Sequence, residues 1–157
     1  MSYREDLILA AVRAFARRGP EGTTVNDIAV EAGVSQPRIS QVFGSKEHAW
    51  KAAFTWASTV VVQELTDLLE LRGEPVLAWV EVKDRRSDEL MVLLHCLSAA
   101  RHFPDMRQNM REVLGAMADV AKNRGFPADS FVRDGLLASV EVSLGVRSLT
   151  DVVSLPA

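Results

Sequence analysis

Residues 24–47 read TVNDIAVEAGVSQPRISQVFGSKE, and this stretch decides the fold. Thr24 is an N-cap residue type, and Asp27 stands three positions on, where a capping box wants an acid or an amide. Val25, Ile28, Ala29 and Ala32 then make the inner stripe of one short helix. Gly33 supplies the backbone freedom of a tight turn. Ser35 reads as the next N-cap, and Pro37 falls in a first turn, where its missing N–H is tolerated. Ile39, Val42 and Phe43 form the buried side of this second helix, which Gly44 stops. Ser45 caps a further helix beginning at Lys46. Two short helices joined by a glycine-centred turn predict a helix-turn-helix.

Working outward, Leu7, Ile8, Ala11, Val12 and Phe15 recur at steps of three and four, so a helix precedes the pair. Gly19-Pro20-Glu21-Gly22 is expected to end it. Downstream, Trp50, Phe54, Ala57, Val61, Leu65 and Leu68 form one stripe of a long helix from Lys46 to about Leu71. Val76 to Lys83 alternates enough to admit a strand, and the helix reading is preferred. Further helices are predicted over Leu90–His102, Met106–Val120 and Asp129–Arg147. The fold class is therefore all-α, an N-terminal three-helix head over 1–46 and a short C-terminal helical domain over 47–157.

Composition bounds the function. The 157 residues carry 18 Lys+Arg against 21 Asp+Glu, a net charge of −3 that by itself suggests no nucleic-acid partner. The charge is unevenly spread. Residues 1–48 are balanced, with Arg4, Arg13, Arg17, Arg18, Arg38 and Lys46 against six acids, and the stretch Ala32–Lys46 contains no acid. One cysteine excludes an intramolecular disulfide and multi-cysteine zinc modules. No apolar run has the length of a membrane span or signal segment, so no membrane partner and a cytoplasmic location are expected.

The pattern Thr24-Val25-x-x-Ile28-Ala29-x-x-Ala32-Gly33-Val34-Ser35, followed by Phe43-Gly44-Ser45-Lys46-Glu47, resembles the signature of the TetR family of transcriptional repressors. Leu9-Ala10-Ala11-x-x-Ala14-Phe15-x-x-x-Gly19 is similar to that family's first helix. The resemblance covers about residues 4–54. Three positions depart from it. Ser40 stands where an aromatic is frequent, Val42 where Tyr or His is, and Pro37 where Gly is common.

In a helix-turn-helix the second helix of the pair enters the major groove. Gln36, Arg38, Ser40 and Gln41 remain outward once Ile39, Val42 and Phe43 turn inward. Arg38 can pair bidentately with guanine, and Gln36 or Gln41 with adenine. Phosphate contacts fall to Arg4, Thr24, Ser35 and Lys46, the last at a helix start whose free N–H groups favour an anion. The plain alternatives are that the hydroxyls only cap helices and that Arg38 and Gln41 lie on a solvated face.

A single head buries too little surface to hold a site tightly, so a homodimer on palindromic double-stranded operator DNA is expected. Met117 and the stripe Gly135, Ser139, Val142 and Val146 are the candidate interface; the alternative has them facing the monomer's own core. The resemblance also implies a cavity for a small-molecule effector. Trp56, Trp79, Met91, His95, Phe103 and Met110 are its candidate lining, with core packing the simpler reading for each. His95 and His102 lie two turns apart, about 10 Å, too far to share a metal ion. No metal or cofactor is expected.

The reading is thus a repressor that a small ligand releases from DNA. The competing classes are an all-helical ligand-binding or interaction protein that has lost DNA binding, and an enzyme. No phosphate loop, helical metal motif or nucleophile elbow favours the enzyme.

Overall fold

The computed structural model describes residues 2–150, and every regular element among them is an α-helix. α1 (Tyr3–Gly22) opens on a capping box in which Glu5 and Ser2 bind each other's backbone N–H. The predicted stop at Gly19 is instead a kink. Gly19 takes φ +68°, and the chain turns once more through Pro20 to Gly22. Thr23, buried and overlooked in the sequence, ties this kink: its hydroxyl lies 2.7 Å from the Gly19 carbonyl and 3.2 Å from that of Ala14.

α2 (Val25–Ala32) starts on the expected Thr24–Asp27 capping box and ends at Gly33 in the left-handed region. α3 (Gln36–Phe43) follows after three residues and buries Ile39 and Phe43. α4 (Lys46–Arg72) runs 27 residues, about 40 Å, so one rigid rod links the head to the rest of the chain. α5 (Pro75–Arg85) settles the ambiguous segment as helix, because Ala78, Trp79 and Val82 are buried at helical spacing. α6 (Ser87–Ala99), α7 (Pro104–Lys122) and α8 (Ala128–Leu144) complete the described elements.

α1 packs on α2, α4 and α6; α8 packs on α5, α6 and α7. One cluster of buried apolar side chains runs from Ile28 and Ile39 to Phe131. Phe15 meets Trp50 edge-on at 5.2 Å, joining α1 to α4. The core therefore continues across residue 46, and the head leans on α6 as well as on α4.

The stripe offered as a dimer interface turns inward. Gly135 is buried where a Cβ would come within 2.4 Å of the Trp79 ring, and Ser139 donates to the Gly135 carbonyl at 3.0 Å. Met117 is also buried in the chain's own core, and Val142 packs against it. Val146 is half-buried beyond the end of α8. The small residues admit the Trp79 indole, whose Nε1 donates to the Phe131 carbonyl at 2.9 Å. The outward face of α8 carries Leu137 and Leu144 instead.

α2 is clamped to α1 by ions. Arg13 and Arg17 each reach Glu31 at 2.7 Å, and Arg18 reaches Asp27 at 2.8 Å. Hydrogen bonds from Arg13 and then Arg17 hold Glu31 below the ordinary carboxylate range; the Thr24 hydroxyl, foremost, does the same for Asp27. A lowered carboxylate pKa contributes stability above its unfolded value, lost as pH falls through the folded one. Melting temperature should therefore fall progressively once pH drops below the ordinary values of 4.5 and 3.8. Glu31→Gln should lower the neutral-pH melting point and flatten that acid limb, read by circular dichroism.

Candidate nucleic-acid interface and ligand grooves

α2 and α3 present the polar row that the sequence suggested. Ser35, Gln36, Arg38, Ser40 and Gln41 are all exposed, and α3 contains no acid. Ile39 and Phe43 anchor the opposite side in the core, which fixes the rotation of the helix. Ser35 stands at the N-cap without a side-chain capping bond, so its hydroxyl is not consumed by the helix. Thr24 differs, because its hydroxyl accepts from the Asp27 amide at 3.1 Å and donates to Oδ2 at 2.7 Å. For Thr24 the capping role is therefore in force.

Arg38 is held by a residue that sequence reading missed. Its Nε donates to the Tyr3 hydroxyl at 3.1 Å, and its guanidinium carbon lies 5.0 Å from the centre of the Tyr3 ring. Nη1 also donates to Gln41 Oε1 at 3.4 Å. Tyr3 thus pre-orients Arg38 from the first turn of α1, next to the exposed Arg4. The two residues stand 35 apart, and no local pattern links them. Lys46 begins α4, where Ser45 accepts the His48 N–H at 3.2 Å.

The candidate effector residues are not brought together. His95 and Phe103 line an open groove of about 800 Å³ between the α1 kink, the start of α4, and the α6–α7 junction. Trp50, Phe54 and Met106 also line it, with Lys46. Trp79 and Met110 face an apolar seam of only about 20 Å³ between α5, α6, α7 and α8. Trp56 lies in a third space of about 540 Å³ between α1, α3 and α4. Met91 packs partly buried against the core. The seam is too small for an organic ligand, whereas both larger spaces fall in the usual range.

His95 connects α6 to the head. Its Nε2 lies 3.0 Å from the Ala16 carbonyl, and its ring sits under Gly19, where even a Cβ would come within 3.1 Å. Cys96 beside it is buried, and burial pushes its thiol up to about 11. Among the described residues no three His, Cys, Asp or Glu side chains are placed to share a metal ion. Native Cys96 is expected to resist iodoacetamide at pH 8 and to react fully once denatured, checked by mass spectrometry. No helix of the described residues is long and apolar enough to cross a membrane.

Residues 7–49 match the family model of bacterial regulatory proteins, tetR family. Solved structures share the fold across nearly the whole chain. A transcriptional regulator from Rhodococcus sp. Rha1 aligns at 23% identity over 98% of this chain and 85% of its own, with a TM-score of 0.64. The ketosteroid transcriptional regulator KstR2 of Mycobacterium tuberculosis aligns at 22% identity, covering 90% and 82%, with a TM-score of 0.62. The regulator FadR from Bacillus subtilis, solved with stearoyl-CoA, aligns at 16% identity, covering 96% and 89%, with a TM-score of 0.55. No curated protein matches the chain in sequence. Residues 7–49 thus match the tetR-family model over the helix-turn-helix, a helical domain follows, and the whole chain shares its fold with these solved transcriptional regulators.

Proposed function

We propose, from the premise of a tetR-family head at residues 7–49, that the chain is a homodimeric transcriptional repressor of palindromic operator DNA, released by a small-molecule effector. The observation that carries this is the acid-free row on α3, with Arg38 pre-oriented by Tyr3 beside Gln36 and Gln41. Arg4, Ser35 and Lys46 would hold phosphates on either side, while Arg38 and the glutamines read base edges. The role is regulatory rather than catalytic. Selection of bound duplexes from a random pool tests it. A recovered palindrome bound in a salt-dependent manner supports the reading, and a pool without enrichment favours a helical ligand-binding or interaction protein.

Dimerisation would use the outer face of α8. Leu137 and Leu144 are 42% and 55% exposed and lie seven residues apart, two turns of one stripe, with Val140 between them. The variant Leu137→Glu/Leu144→Glu should sediment as a monomer with its helicity retained. It should lose at least tenfold in operator affinity, because two heads must bind together.

The effector would occupy the 800 Å³ groove, since that space touches both the head, at Gly19 and Lys46, and the body, at His95 and Phe103. A ligand there meets both sides of the α1–α6 contact, so it can favour one spacing of the two heads over another. The division at residues 1–46 and 47–157 belongs to the same proposal, with α4 as the lever across it.

A further inference from the structure

The third space, between α1, α3 and α4, is used by none of the roles above except through Arg4. Its floor is apolar, formed by Ile8, Val42, Phe43, Trp56 and Val60. Its other lining residues include three bases, Arg4, His48 and Lys51, and no acid. None of the three bases is in an ion pair among the described residues. The Trp56 indole N–H, buried in the wall, has no acceptor among the described residues. An apolar floor under a rim of one charge sign selects a molecule with an apolar body and an anionic end.

We propose that this groove is a second ligand site, for an amphipathic carboxylate, adjoining the effector groove at Lys51, which lines both. The carboxylate faces Arg4 and Lys51, and the chain lies along Val42, Trp56 and Val60. Because Val42 and Phe43 belong to α3, the occupant braces the reading helix directly against α4. The site needs no DNA and does not depend on the repressor reading. About 540 Å³ accommodates a medium-length acyl chain rather than a long one.

The three tryptophans make the site testable, since Trp50, Trp56 and Trp79 each line a different cavity. Full-length protein is titrated with sodium decanoate below its micelle concentration while tryptophan emission is followed. Decanol and decyltrimethylammonium serve as neutral and cationic controls. Saturable change is expected in the Trp50→Phe variant, which keeps Trp56, and should vanish in Trp56→Phe. Decanol should bind about tenfold more weakly and the cation should not compete. Arg4→Glu should weaken decanoate about fivefold, Ala52→Phe should abolish binding by filling the groove, and Phe103→Ala should leave it unchanged. A signal that follows Trp50 instead, equal binding of decanol, or no saturable binding overturns the proposal. Circular dichroism on each variant separates loss of the site from loss of the fold.

Discussion

Replacing Gly135 with alanine is expected to destabilise the C-terminal domain, although alanine is the better helix former. The added Cβ would stand 2.4 Å from the Trp79 ring, closer than atoms tolerate. Trp79 cannot simply retreat. It is 3% exposed, packs against the tilted Phe131 ring at 5.3 Å, and gives its N–H to the Phe131 carbonyl. Overpacking of this kind costs about 1–3 kcal/mol, against roughly 1 kcal/mol gained in helix propensity. Gly115 is the internal control, since a Cβ there meets nothing within 4 Å. Gly115→Ala should raise the melting temperature by a few degrees and Gly135→Ala should lower it, measured by circular dichroism. If Gly135 instead faced a partner chain, its alanine variant would shift the dimer equilibrium and spare the monomer.

The second large effect concerns reading rather than folding. Arg38→Ala should cost about 1–3 kcal/mol on the selected operator, a loss of roughly 5- to 150-fold, with little change on random duplex. Lys46→Ala should weaken both about equally and reduce the salt slope by roughly one. Tyr3→Phe is the finer probe. It removes the hydroxyl that receives Arg38 Nε at 3.1 Å while keeping the ring beneath the guanidinium. A partial version of the Arg38 loss is expected, because Arg38 keeps its base contact but loses pre-orientation.

The head was legible in the sequence because its signals are local. Thr24 and Asp27 stand three apart, Gly33 and Gly44 mark stops, and Ile39 and Phe43 share one face of α3. The same locality explains the failures. The Gly135–Ser139 stripe shows that something packs closely, but spacing cannot say whether the neighbour is Trp79 of the same chain or a second copy. Tyr3 and Arg38 meet only after α1 and α3 are folded together. The effector candidates share only their residue type, and type does not encode which cavity a side chain lines. Trp56 and Trp79 consequently fell into different spaces from His95 and Phe103. Gly19-Pro20 gave the right place and the wrong consequence, since a kink tied by Thr23 continues where a stop was expected.

The central claim is that α3 reads sequence from a pre-oriented Arg38. Fluorescence anisotropy of the full-length protein, on the selected duplex and on a scrambled one across a salt series, tests it most directly. The account predicts that wild type prefers the selected duplex at least a thousandfold. It further predicts that Arg38→Ala loses affinity on that duplex alone, leaving the salt slope on scrambled DNA intact. Equal binding of the two duplexes by wild type, or equal losses on both for Arg38→Ala, would contradict it.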